Sequence, residues 1–344
     1  MKTKTYRAVQ AVGAGKLELT EKPLLDPPAG HVRIRVEACG ICHSDTGTIE
    51  GGFAIHWPRV PGHEAVGRID ALGVGVQGWK VGQRVGVGFL SGHCGFCEYC
   101  RNGDLVGCQN QPYTGVHVDG GYAESMIAKA SGLISVPEEL RSVDAAPLLC
   151  AGLTTFSALR SSPAKAGDLV AVLGIGGLGH LGVQYARHMG FEVVAIGRGA
   201  DKAELAKKMG AHHYINTATT NPAEALGALG GATVILATAS GGKAVADSVK
   251  GLRPHGAVVV VGAAPDPIEI SSFDLLFSNR GGAPKLVAGA LTGTPAAGDA
   301  TLKFSVLTGV APMVETMPLE RASDAYAKLM AGKARFRMVL TMDR

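Results

Sequence analysis

The chain has 344 residues, 46% of them hydrophobic and 18% charged, with a formal net charge of +4. That balance excludes a disordered chain, and the interspersed charges form no basic stripe of the kind that binds nucleic acid. The opening MKTKTYRAVQAVGAG lacks an apolar core segment and a small-residue cleavage site, so no signal peptide is expected. No apolar run is read as approaching the ~20 residues that cross a bilayer. The expected compartment is therefore the cytoplasm, with no membrane partner, where disulfides are rare.

In chain order, the alternating HVRIRVEA at residues 31–38 predicts a strand, followed by ACGICHSD with Cys39 and Cys42. His63 and Glu64 follow in VPGHEAVG. SGHCGFCEYCRNGDLVGC then sets Cys94, Cys97, Cys100 and Cys108 in the spacing C-x2-C-x2-C-x7-C. Four thiolates suit a closed, tetrahedral structural zinc site; free or disulfide-bonded thiols on a loop are the alternative. Cys150 lies in PLLCAGLTTF. Cys42, His63 and Cys150 together offer two sulfurs and an imidazole, a three-ligand zinc set with one open position, as catalytic zinc requires. Cys39 reads as a small core hydrophobe.

Residues 168–190, DLVAVLGIGGLGHLGVQYARHMG, carry a strand at 169–173, then G-x-G-x-x-G at Gly174, Gly176 and Gly179, then an apolar-faced helix. Strand, glycines and helix in that order are the setting in which a dinucleotide pyrophosphate meets a helix N-terminus. Further strands at 192–196, 233–237 and 257–261, with helical DKAELAKKMGA and GGKAVADSVKGL between them, predict a doubly wound parallel sheet. The second strand ends VVAIGRGADK, with Gly197 and Arg198 where an NAD site carries Asp or Glu. Opposite unit charges ~4 Å apart at an effective dielectric of ~20 attract by ~4 kcal/mol before desolvation, so Arg198 can receive a 2′-phosphate. NADP(H) is expected over NAD(H); a solvated Arg198 on a tolerant enzyme is the alternative. KLVAGALTG, residues 285–293, reads as the last strand of the sheet, and RFRMVLTM as a strand returning to the first domain. The expected domains are 1–150 with 295–344, holding both zinc sites, and 151–294.

CGICHSD, PGHEAVGRI, GHCGFCEYCRNGDLVGC, GGYAE, CAGLTTF and GIGGLG occur in that order. In this the chain resembles zinc-dependent alcohol dehydrogenases of the medium-chain dehydrogenase/reductase superfamily, over essentially its whole length. The resemblance implies a GroES-like, mostly β catalytic domain beside a Rossmann-type doubly wound α/β domain, with the active site in a cleft. It implies two zinc ions per subunit: a catalytic one on Cys42, His63 and Cys150, with Glu64 behind it as an alternative ligand, and a structural one on the four clustered cysteines. Ser44 would accept the alcohol proton, Asp45 would orient His63, and Thr154 would pack near the nicotinamide. Cofactor contacts are expected at His43, Gly174, Gly176, Gly177, Leu178, Gly179, Gly197, Arg198, Lys202 and Arg337, with His43 and Arg337 near the pyrophosphate.

One position departs from the pattern. Many relatives carry a relay histidine five residues after the first zinc cysteine, and here that residue is Gly47. Water or His56 would then complete the proton path. Trp57, Leu90 and the segment around Phe53 are pocket candidates, each with ordinary packing as the alternative. This apolar lining without carboxylates favours hydrophobic primary alcohols and aldehydes, including aromatic ones, over polyols. The implied activity is hydride transfer between such an alcohol and NAD(P), giving an aldehyde or ketone. The rival readings are a polyol dehydrogenase, a zinc-free quinone or enoyl reductase, and a non-enzymatic zinc and nucleotide redox sensor. A homotetramer is expected, with a dimer as the alternative.

Overall fold

The strand His31–Ile41 is the hub of the first half of the molecule. In the computed structural model, which describes residues 4–238, 241–278, 281–282 and 284–342, it pairs antiparallel with Ala65–Leu72, Ser125–Lys129 and Arg337–Thr341. Its alternation explains the role: Val32, Ile34 and Val36 are buried while Arg33 and Arg35 stay partly exposed, as period-two patterning on a half-covered sheet requires. Among the described residues the sheet has seven strands, running Val314–Pro318, Arg337–Thr341, His31–Ile41, Ala65–Leu72, Arg84–Val87 and Leu133–Ser135, with Ser125–Lys129 also on the hub. Its core gathers Val32, Ile34, Ile69, Val85, Met338 and Leu340, and Cys39 lies fully buried among them.

The chain forms two compact units, Met1–Leu153 with Gly293–Arg344, and Thr154–Thr292. The second contains a six-stranded parallel sheet in the order His213–Asn216, Glu192–Gly197, Leu169–Leu173, Ala232–Ala237, Leu252–Val260, Leu286–Gly289. Its central strands are buried along their whole length, which is why they read as unbroken apolar runs. Strand order reverses between Leu169–Leu173 and Ala232–Ala237, the place in such sheets where ligands bind beyond the strand ends. The fold is therefore the expected α/β sheet with a second, mostly β body. The last parallel strand is shorter than its apolar run, and Leu252–Val260 begins five residues before the stretch expected from hydropathy.

Ser142–Arg160, a 19-residue helical run, is long and apolar enough to cross a bilayer, but 72% of its most apolar window is buried inside the protein, as in a core helix. Ser, Asp and Thr side chains scattered through SVDAAPLLCAGLTTFSALR mask it as an apolar run in the sequence.

Two motifs distant in sequence are locked together at the hub. The N–H groups of Gly120, Gly121 and Tyr122 donate to the carbonyls of Val60, Gly62 and Pro61 at 2.7–3.1 Å. Gly62 has φ +96°, and a Cβ on it would overlap the buried Tyr122 ring. Gly62→Ala combines left-handed strain with overpacking and should cost at least ~2 kcal/mol. Denaturant unfolding checks this; wild-type stability would show that the segments pack with slack.

Candidate active site

Three neighbouring strand ends and one helix irregularity carry the predicted ligands. Cys42 follows the end of His31–Ile41; His63 and Glu64 directly precede Ala65–Leu72; Arg337 opens Arg337–Thr341. Because these strands are adjacent, with Cys39 opposite Ala65 and Met338 opposite Ile41, their ends meet in space. Cys150 comes from a π-helical segment, Leu148–Gly152, between Ser142–Pro147 and Leu153–Arg160. Such widened turns recur at functional sites. One donor atom each from Cys42, His63, Glu64 and Cys150 lies within 4.8 Å of all the others.

A buried carboxylate orients this cluster. Asp45 accepts from His63 Nδ1 at 3.0 Å, from the Cys42 N–H at 2.9 Å and from the Tyr122 hydroxyl at 2.8 Å. Nδ1 thus carries a hydrogen and the ring presents Nε2 toward the sulfurs, 3.4 Å from the Ser44 hydroxyl. Ser44 Oγ also donates to Cys42 Sγ at 3.2 Å, and the sulfurs of Cys42 and Cys150 are 3.9 Å apart.

Glu64 is fully buried and pairs with Arg337 through Oε1, while Oε2 has no hydrogen-bond partner. Burial pushes its carboxyl up to about 7 against the pull of Arg337. Gly40 is required beneath it, because a Cβ there would overlap that carboxylate. Of the two thiols, Cys42 ionises first: the Cys150 thiol donates to it, and His63 and Arg337 lie beside it. Burial opposes protonation of His63, but Asp45 and Cys42 outweigh it and raise the imidazole. Two thiols, an oriented imidazole and a carboxylate without a second partner form a donor set that fits zinc.

The four clustered cysteines form a second set. Cys94, Cys97, Cys100 and Cys108 place their sulfurs within 4.8 Å of one another around the short helix Glu98–Arg101, and none is in a disulfide. Sulfur-directed N–H groups of Cys94 and Cys97 and the Asn110 amide already point at the cluster. Burial raises the Cys94 thiol, but hydrogen bonds from Phe96, Asn110 and Cys97 outweigh it and bring it down to about 6. Four sulfurs at that separation fit a closed tetrahedral ion.

In the second unit, Gly174, Gly176, Gly177, Leu178 and Gly179 form the turn between Leu169–Leu173 and the helix Gly179–His188. Gly197 ends its strand; a Cβ there would stand 2.7 Å from the Tyr214 hydroxyl, which donates to the Gly199 carbonyl at 2.7 Å. Arg198 is exposed and makes no ion pair among the described residues, and Lys202 Nζ donates to the Ile175 carbonyl at 3.2 Å. Thr154 is buried at the start of this unit.

The remaining candidates lie in the first unit. His43 and His56 are exposed, and Arg337 is buried against Glu64. The Trp57 indole donates to the Thr48 carbonyl at 3.0 Å, and buried Leu90 is bridged to Tyr113. Gly47 is buried under the Phe53 ring, which takes the space a side chain at 47 would need. Sequence reasoning missed Phe89, whose ring meets His63 edge-on at 5.2 Å, and Tyr122. The only signal for Tyr122 was its place in GGYAE.

The alcohol dehydrogenase GroES-like domain family matches residues 28–138, and the zinc-binding dehydrogenase family matches residues 177–289. Alcohol dehydrogenase notN of Aspergillus sp. (strain MF297-2) is 38% identical over 340 residues, 98% of each chain. The chain belongs to the zinc-type medium-chain alcohol dehydrogenase family. As an alcohol-dehydrogenase-type oxidoreductase it shares its fold with the cinnamyl alcohol dehydrogenase SbCAD4 of Sorghum bicolor (31% identity, TM-score 0.89, 98% of each chain). It also matches the CAD of Helicobacter pylori solved with NADP(H) (28% identity, TM-score 0.87, 99% of each chain).

In this dehydrogenase Asp45→Asn should keep the fold but blur the His63 tautomer. Zinc retention at the Cys42 cluster should weaken by about 10- to 100-fold. Competition with a chromogenic chelator measures it; unchanged retention would mean the carboxylate does not orient the imidazole.

Proposed function

We propose that the protein interconverts apolar or aromatic primary alcohols and their aldehydes with NADP(H), using zinc held by Cys42, His63 and Cys150. The observation that carries this reading is the convergence of those donors with Glu64 inside 4.8 Å, beside an imidazole whose Nδ1 is already claimed by Asp45. Zinc bound there supplies Lewis acidity that lowers the pKa of an alcohol and polarises a carbonyl, and the nicotinamide exchanges the hydride. A second zinc on Cys94, Cys97, Cys100 and Cys108 holds that lobe's fold.

The chain's own groups do the rest. Ser44, hydrogen-bonded to Cys42 Sγ and close to His63 Nε2, takes the alcohol proton. With Phe53 over Gly47, no side chain at that position carries the proton onward, so water or His56 does. Glu64, fully buried with one oxygen unpartnered, stands as the alternative metal ligand. Thr154 packs near the nicotinamide, and His43 and Arg337 serve the pyrophosphate. Apolar Trp57 and Leu90 line the substrate side. The name of the sorghum relative, a cinnamyl alcohol dehydrogenase, supports an aromatic primary alcohol.

For the cofactor, a Cβ at Gly197 would stand 2.7 Å from the Tyr214 hydroxyl, which disfavours the acidic side chain that receives a ribose hydroxyl. The uncommitted Arg198 guanidinium and Lys202 suit a 2′-phosphate. The NADP(H)-bound relative from Helicobacter pylori supports the same choice. The exposed Leu286 and Leu291, at the edge strand Leu286–Gly289, and exposed Phe273 nearby in sequence support pairing of that edge with a second copy. We infer a homotetramer built on such dimers. Thiols clustered for metal rather than disulfide suit the reducing cytoplasm.

Two experiments test the reading. Cys42→Ala and His63→Ala should each abolish turnover and release one zinc while the four-cysteine zinc stays; full activity in either would refute it. Arg198→Ala should lower the NADP+/NAD+ ratio of kcat/KM by about fivefold or more, the equivalent of ~1 kcal/mol. The wild type is assayed alongside on benzylic, allylic, aliphatic and polyol alcohols with both cofactors. A wild-type preference for NAD+ would overturn the cofactor assignment, and a preference for polyols the substrate class.

A further inference from the structure

The glycine-rich turn is asymmetric in its hydrogen bonding. The carbonyls of four successive residues, Leu173, Gly174, Ile175 and Gly176, are all claimed by groups outside the turn's own glycines. Thr238 donates its N–H to the Leu173 carbonyl at 2.9 Å. Its hydroxyl lies 3.0 Å from that oxygen and 2.8 Å from the Gly174 carbonyl. Lys202 Nζ holds the Ile175 carbonyl. His180, fully buried in the first turn of the helix, sets Nδ1 2.9 Å from the Gly176 carbonyl, which its backbone N–H also reaches at 3.1 Å. A carbonyl can only accept, so His180 carries its hydrogen on Nδ1. By contrast, the N–H groups of residues 175–179 have no acceptor among the described residues.

We infer that His180 and Thr238 are positioning residues for the cofactor, acting through the backbone of the turn rather than by touching the ligand. A peptide unit is planar, so fixing its carbonyl direction fixes the opposite direction of the next N–H. Tying the carbonyls into the protein turns the free N–H groups outward together, as an anion receptor ordered before the ligand arrives. Preorganised donors lose little on binding, whereas a floppy turn must be ordered by its ligand. The glycines make the turn possible, and the two side chains hold it in one arrangement. Gly179 fits the same design, since a Cβ on it would overlap the Gly174 carbonyl and stand 3.0 Å from the Thr238 hydroxyl.

This inference rests on the proposed cofactor role of the turn but not on the choice between NADP and NAD, because both carry the pyrophosphate. The test is fluorescence titration of NADPH and NADH against the zinc-loaded wild type and four variants. Thr238→Val is isosteric and removes the hydroxyl; Thr238→Ser keeps it. His180→Leu removes the donor; His180→Asn places an amide N–H near the position of Nδ1–H. The Val and Leu variants should raise the dissociation constants of both cofactors by about tenfold, with kcat at saturating cofactor within about twofold of wild type. Ser and Asn should restore most of the affinity. Should His180→Leu fail to fold, the isosteric Thr238→Val still decides the matter. Unchanged affinity in Thr238→Val, no rescue by Ser, or kcat falling in step with affinity would overturn the inference. A wild type that bound neither nucleotide would refute the functional reading and the clamp with it.

Discussion

Asp45 is a charge with almost no water around it, and the first unit is arranged so that it is never unpaired. A buried carboxylate is tolerated only when its lone pairs are filled. Three donors fill them here: an imidazole N–H from His63, a backbone N–H from Cys42 and a phenol from Tyr122. Each comes from a different part of the chain, so one carboxylate ties the end of the hub strand, the PGHE segment and the GGYAE segment together. The same contacts set the ring of His63 with Nε2 toward the sulfurs. Orientation of the ligand and stability of the strand ends are therefore one device, which is why Gly62 and Gly121 must let Tyr122 and Cys39 come so close.

The glycine-rich turn solves the opposite electrostatic problem. The first cluster gathers acceptors for a cation; the turn gathers donors for an anion. In both, groups that never meet the ligand fix the direction of those that do. Asp45 does so for the imidazole, and His180 and Thr238 do so for the backbone N–H groups. Glu64 belongs with neither solution: fully buried, paired on one oxygen and open on the other, it is held close to the thiols by Arg337.

Local patterns carried the parts of the molecule whose physics is local. The four-cysteine spacing and the strand–glycine–helix sequence each sit within about one supersecondary unit, and both are found where the spacing put them. The alternation of HVRIRVEA sufficed for the hub strand. Cys42, His63 and Cys150 are different. Their meeting depends on strand register and a π-helical turn, which no spacing within 108 residues encodes, so their donor chemistry and the family resemblance, not their spacing, united them. Tyr122 bonds a partner 77 residues away, and Thr238 a partner 64 residues away. Both look like ordinary sequence until the sheets are assembled. The apolar helix Ser142–Arg160 is hidden for a related reason: polar residues interrupt its apolar run, and only packing shows that Thr154 and Thr155 are buried with it.

The central claim is that the donors of Cys42, His63 and Cys150 share one zinc ion while the clustered thiols hold another. Anomalous diffraction across the zinc edge on crystals of the zinc-loaded protein tests it most directly. The account predicts two peaks per chain, one bounded by Cys42 Sγ, Cys150 Sγ and His63 Nε2, the other enclosed by the four clustered sulfurs. A single peak at the cysteine lobe, with Cys42, His63 and Cys150 bearing no metal, would contradict it.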